Sequence, residues 1–271
     1  MRRIRSSMLP SVGDCERRAV VKQYPDLVEG YEPRKLLHPA GGLIGTATHS
    51  MSAQFARNLL NGTNVDPVEA AVEDLKAEAA EGVEWDDTTK NIDTAIKQSV
   101  RLFESYLPVL STRRPKLVEA EMLGGLNDRW ELSGTIDLLT VDGRVDDLKT
   151  GSKLSAYIAQ LGAYAILTNA HIRSGAIKDL PAVTAVSTTF VKRVPLSAVQ
   201  PSPVTQEYEV DAAQRLAMSA IKTVMRDVDA FEVSRDPNVF TANPMSMVCN
   251  EKYCPVWGTE FCKAHLPKVG E

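Results

Sequence analysis

The strongest constraint in this chain is a pair of strand-like runs, Trp130–Leu139 and Arg144–Lys149, that carry charged residues at fixed register. Alternate residues of a strand share a face. Asp147 and Lys149 therefore project together, while Leu148 points into the core. The turn decides whether Asp137 joins them. A two-residue Asp142-Gly143 turn would send Asp137 to the opposite face. A three-residue turn, Val141-Asp142-Gly143, pairs Thr140 with Arg144 and sets Asp137 across from Asp147. Gly143 favours the longer turn, whose third position is left-handed. Two opposed carboxylates repel each other unless a cation bridges them. Hard, oxygen-ligated Mg²⁺ or Mn²⁺ suits such a pair and can polarise a phosphodiester and activate water. Lys149 is placed to orient or deprotonate that water, or to neutralise charge developing on the phosphate. The bland alternative is a solvated hairpin with a surface ion pair. Two carboxylates and a lysine on one face of apolar strands argue against it.

Around this hairpin the periodicity alternates between helix and strand. Helical spacing is expected over Asp14–Lys22, Leu43–Leu60, Pro67–Ala80 and Asn91–Tyr106. In the second of these, Ile44, Ala47, Met51, Phe55 and Leu59 form the apolar stripe. Lys116–Leu123 reads as a strand ahead of the hairpin, and Lys153–Asn169 as a helix behind it. Ala182–Val191 and Thr205–Val210 read as strands. Asp211 then opens a helix, with Gln214 completing a capping box and Ala213, Leu216, Ala220, Val224, Val228 and Phe231 as its stripe. The order predicts an α/β fold with a mixed central sheet flanked by helices and a helical N-terminal region. We read residues 1–271 as one domain, with residues 62–112 as a helical insertion.

The formal net charge is −4. A protein that coats nucleic acid non-specifically is usually basic, so any such contact here must come from a local patch. Met1-Arg2-Arg3-Ile4-Arg5 is basic but precedes no apolar run, and no stretch approaches the roughly 18 apolar residues of a membrane span. A reducing cytoplasm is the expected compartment, where four cysteines point to metal or redox chemistry rather than disulfides. Cys15 stands alone, whereas Cys249, Cys254 and Cys262 crowd the end.

Gly134-Thr-Ile-Asp137, Asp147-Leu-Lys149-Thr-Gly and Gln160-Leu-Gly-Ala-Tyr164 resemble the successive motifs of RecB-like nucleases, a branch of the PD-(D/E)XK superfamily. The branch includes the nuclease domains of bacterial helicase–nuclease recombination enzymes and the nucleases of CRISPR adaptation. The resemblance implies a restriction-endonuclease-like core. It implies that Asp137 and Asp147 bind metal with the Leu148 carbonyl oxygen, that Lys149 serves the water, and that Gln160 and Tyr164 lie beside the site. Gly45-Thr-Ala-Thr-His49 is similar to the family's upstream metal-ligating histidine segment. His49 lies off the apolar stripe, on a face with Gly45, Ala53 and Ala56, whereas His38, His171 and His265 have no comparable setting. Glu121 is the candidate for a further metal ligand, with Glu119 as the alternative.

The one-plus-three cysteine distribution is similar to the iron–sulfur subset of this branch. That implies a 4Fe-4S cluster on Cys15, Cys249, Cys254 and Cys262, joining the termini through Cys15 and residues 243–265. Four thiolates are the expected ligands for such a cluster, and Zn²⁺ on the same four is the alternative, with His265 as a possible replacement ligand. Arg17 and Arg18 follow Cys15 as basic residues do in the family, and Lys153 and Tyr157 lie near the site. These four are the DNA-contact candidates, with Arg113, Arg114 and Lys116 as a second cluster. The expected activity is metal-dependent DNA hydrolysis, as an exonuclease preferring single strands or open ends, in recombination, repair or processing. A helicase or a recombination or integration protein is a possible partner. The alternatives are an inactive DNA-binding or assembly module and an endonuclease of the same superfamily.

Overall fold

The structure, a computed structural model, describes residues 1–263. His265 and the end of the 243–265 segment lie outside those residues. In chain order the elements are β1 (Arg2–Arg5), α1 (Leu9–Gln23), β2 (His38–Pro39), α2 (Ala40–Asn61), α3 (Glu69–Ala80), β3 (Val83–Glu84) and α4 (Ile92–Leu110). There follow β4 (Pro115–Gly125), β5 (Trp130–Thr140), β6 (Arg144–Gly151), α5 (Ile158–Arg173), β7 (Ala185–Lys192), β8 (Val204–Tyr208), α6 (Val210–Ser234) and α7 (Glu260–Lys263).

β5 organises a mixed six-stranded sheet. β4 runs antiparallel along one side of it. On the other side β1 pairs parallel with its first residues and β6 antiparallel with its last. β6 and β7 are parallel, and β8 closes that edge antiparallel to β7. The β5–β6 turn has the three-residue form. Leu138 faces Asp146 and Leu139 faces Val145, a register that sets Asp137 opposite Asp147. Gly143 has φ of 82°, and its amide donates to the Thr140 carbonyl at 3.0 Å. Only glycine adopts that backbone without strain.

Two apolar clusters hold the layers. The larger packs α1, α5 and α6 on one face through Val20, Leu161, Ala163, Ile221, Val224 and Phe231. The smaller joins α2 and α4 to the sheet through Leu43, Ile44, Leu102, Tyr106, Leu138 and Leu148. α3 and α4 fall in the 62–112 segment and pack on α2. Gly162 lets α5 approach α6, since a Cβ there would lie 1.9 Å from the Ala213 carbonyl oxygen.

One strand went unpredicted and two expectations need correction. β1 reads as three arginines around one isoleucine and has no periodic signal, yet Ile4 is fully buried and the backbone pairs with β5. α5 begins at Ile158, not Lys153, because β6 ends at Gly151 with φ of 155° and a loop follows. α6 begins at Val210, where the Glu209 carboxylate accepts from the Ala212 amide and takes the capping role expected of Asp211. Its buried stripe is Ala213, Ala217, Ile221, Val224, Val228 and Phe231, while Leu216 is exposed.

Candidate metal centre

Strand β5 delivers Asp137 and helix α2 delivers His49 to one point. His49 Nδ1 lies 3.3 Å from Asp137 Oδ2, and Asp137 Oδ2 accepts from the Leu148 amide at 2.8 Å. The carboxylate thus caps an N–H of β6 where the β5–β6 ladder stops. The Leu148 amide ties this position to the site.

The third member is Glu119. Ligand atoms of His49, Glu119 and Asp137 all lie within 4.8 Å of one another. Glu121, the first choice from sequence, is exposed and lines the groove one strand step further on. The reason is local. Glu119 adopts φ of 47°, so the regular alternation that would treat the two glutamates alike breaks there. Leu117 and Ala120 consequently pack on the same core cluster, with Val118 on the other. A non-glycine residue held left-handed costs about 1–3 kcal/mol and is commonest at functional positions.

Asp147 is fully buried and pairs with Lys149 at 2.8 Å. The Lys149 ammonium also sits over the Tyr157 ring, 4.9 Å from its centre. Gln160 Nε2 donates to the Tyr164 hydroxyl at 2.7 Å and reaches Asp147 Oδ1 at 3.5 Å. The residues read from Asp-x-Lys and Gln-x-x-x-Tyr therefore meet. Gly134 makes room for this arrangement: a Cβ there would lie 2.7 Å from both Tyr164 Cε1 and Ser6 Oγ.

The charges interlock. Burial works against the His49 imidazolium, but Asp137 outweighs it and holds the pKa above the ordinary value. Burial likewise opposes ionisation of Asp137, yet His49 and then Lys149 hold it below the usual carboxylate range. Asp147 is raised to about 6 by burial, against the pull of Lys149. Lys149 itself stays above its ordinary value despite burial, because Asp147 and Asp137 hold the ammonium. Glu119 is raised to about 7, first by burial and then by Asp137.

The expected DNA contacts separate. Lys153 and Tyr157 lie on the β6–α5 loop, Lys153 exposed and Tyr157 against Lys149. Arg17 is fully buried and donates to the main-chain carbonyls of Phe261 at 2.9 Å and Phe240 at 3.2 Å. Arg18 is buried against Asp14 at 2.7 Å. Arg17 reaches no solvent and Arg18 keeps only 10% of its side chain exposed, so their expected role as phosphate contacts is corrected to one of internal support. Arg113 is also committed, to the buried Asp146 at 2.7 Å.

The two chain ends meet. α1 breaks at Cys15, whose φ and ψ are −152° and 100°. Cys15, Cys249, Cys254 and Cys262 line one cavity with Arg17 and Arg18. No cysteine is in a disulfide. Burial pushes the thiols of Cys249, Cys254 and Cys262 up. A ring cluster of Tyr31, Phe231, Phe240 and Phe261 packs nearby.

The fold has a solved counterpart. It is a candidate exonuclease from Eubacterium rectale, 12% identical, aligned over 90% of this chain and 86% of that chain with a TM-score of 0.50. At that identity the likeness is one of fold. A second solved structure, SSO0001, aligns over 73% of this chain and 82% of that one at 15% identity, with a TM-score of 0.27, and carries no argument. No family model and no curated protein matches the sequence. Among the described residues no helix is long and apolar enough to cross a membrane.

Proposed function

We propose that this chain is a divalent-metal-dependent nuclease that hydrolyses phosphodiester bonds in DNA, acting as an exonuclease on single strands or open ends. The observation that carries this reading is the convergence of His49, Glu119 and Asp137 beside the Asp147–Lys149 pair. The fold likeness to a candidate exonuclease supports it. One imidazole and two carboxylates form a hard donor set, and the left-handed Glu119 is a backbone cost that a ligand at this position would offset. His49, Glu119 and Asp137 would hold Mg²⁺ or Mn²⁺, which supplies Lewis-acid polarisation of a phosphoryl oxygen and lowers the pKa of water.

The chain's own groups do the rest. Lys149 is a held cation at neutral pH, which suits it to neutralise negative charge on a phosphate rather than to accept a proton. Asp147 fixes the ammonium from below, and Gln160 steadies Asp147 while orienting the Tyr164 hydroxyl. Asp137 is oriented by the Leu148 amide.

The test is digestion of end-labelled single-stranded DNA with Mn²⁺ and with EDTA. Activity should need the metal, and Lys149→Ala and Asp147→Ala should lose it by at least about 100-fold while melting cooperatively. Full activity in both variants would end the reading.

We infer that the four cysteines bind a structural 4Fe-4S cluster, supported by their convergence on one cavity, with Zn²⁺ as the alternative. Anaerobically purified protein should be brown with a broad visible absorption, and Cys→Ala at any of the four should bleach it. A colourless protein containing stoichiometric zinc would decide for the alternative.

A further inference from the structure

The groove at the metal centre does not end there. It is lined by Gly45, His49, Ala53, Arg57, Glu119, Lys149 and their neighbours. It meets a second groove across the paired residues Glu121 and Thr135, which line both. The second groove is lined by Arg3, Arg5, Ser6, Ser7, Ser133, Gly134 and Tyr164. Each has a volume near that of an ordinary ligand cleft, about 650 and 640 Å³.

Two exposed cations stand in this continuous groove with no ion pair among the described residues: Arg57 and Arg5. Their positions follow from the elements that carry them. Gly45, His49, Ala53 and Arg57 are spaced by four on α2, so they share one face, and Arg57 lies two turns from His49, about 12 Å along the axis. Arg5 pairs with Ser133, four residues along β5 from Asp137, about 13 Å at the rise of a strand. Both arginines are rooted well away from the metal centre along their elements, and the Arg57 charge is felt at Glu119, so each is placed for a phosphate neighbouring the scissile one. Arg3, in the same groove, is neutralised by Glu131 at 2.5 Å.

We propose that Arg5 and Arg57 are two separate phosphate subsites for a single nucleic-acid strand, each holding a backbone phosphate away from the one at the metal centre. This rests on the nuclease reading and adds to it the residues that would hold phosphates of the strand beyond the scissile one. It also gives a purpose to β1. Pairing with β5 fixes Arg5 against a rigid sheet, and Ser6 Oγ donates to the Ser133 carbonyl at 2.8 Å, so the arm enters the groove without a mobile hinge. Glu121, exposed where the two grooves meet, keeps the path from being basic overall, so Arg5 and Arg57 are point contacts and not part of a cationic field.

The experiment measures fluorescence anisotropy of labelled single-stranded oligothymidylate on the full chain in EDTA, across a salt series. Arg5→Ala and Arg57→Ala should each flatten the slope of log K against log salt by about 0.7, the value for one phosphate contact on a single strand. The two effects should add in the double variant, because the sites are far apart. Arg3→Ala should leave the slope near the wild-type value. Thermal melting should be unchanged in all three, since each side chain is exposed. Unchanged slopes in Arg5→Ala and Arg57→Ala, in a wild type that cleaves DNA, overturn the subsites and leave the nuclease reading intact. An equal fall in Arg3→Ala overturns them in favour of diffuse charge. A wild type that neither binds nor cleaves removes both.

Discussion

Glu119→Gln should stabilise the metal-free protein at alkaline pH while removing its metal response. Glu119 is pushed from its ordinary 4.5 to about 7 by burial and by Asp137. A carboxyl whose folded pKa is raised destabilises the fold as pH climbs past the unfolded value, and the penalty is complete above the folded value. At 1.36 kcal/mol per pH unit, a rise of 7 − 4.5 = 2.5 corresponds to about 3 kcal/mol at most. Partial exposure of the side chain brings the expected size to roughly 1–2 kcal/mol. For a chain of this size each kcal/mol moves Tm by roughly 2–4 °C. Circular-dichroism melts in EDTA should therefore show Glu119→Gln more stable than wild type at pH 8 by a few degrees, with most of the gain gone at pH 5. Adding Mn²⁺ should raise the wild-type Tm and leave the variant where it was. A variant equally destabilised at both pH values would refute the argument, because it would make Glu119 a packing residue and not a frustrated ligand.

Other outcomes follow from the same geometry. Mn²⁺ affinity should rise with pH through about 7 and beyond, because Glu119 is protonated below that value and Asp137 holds a proton on His49 above its ordinary range; calorimetry in buffers of different ionisation enthalpy should detect proton release, and pH-independent binding would count against this donor set. Gly162→Ala drives a Cβ to within 1.9 Å of the Ala213 carbonyl and should cost at least about 2 kcal/mol in urea unfolding as α5 and α6 separate. Arg17→Ala leaves the Phe261 and Phe240 carbonyls without their buried cationic donor; it should cost about 3 kcal/mol and expose the C-terminal segment to limited proteolysis.

Asp137, Asp147 and Lys149 were legible in the sequence because a strand has period two and Gly143 selects the turn that sets their register. His49, Gln160 and Tyr164 were legible through helical spacing combined with family resemblance. Arg57 could have been found as well, since it continues the Gly45–His49–Ala53 face by one further step of four. Glu119 could not be chosen over Glu121 from the sequence. Strand alternation treats the two alike, and a backbone φ of 47° at Glu119, which the strand pattern does not announce, separates them. The roles of Arg17 and Arg18 were misread for a related reason. A charge string does not say which way a side chain points, and here Arg17 meets carbonyls more than 200 residues away in the chain.

By itself, then, the sequence determined which side chains could carry metal chemistry and the local register that aligns the hairpin, because both are set by neighbours a few residues apart. Only the tertiary structure decided which glutamate joins them, where β1 lands and which arginines stay open to solvent. Those outcomes depend on pairings between distant segments, whose free energies no local periodicity records.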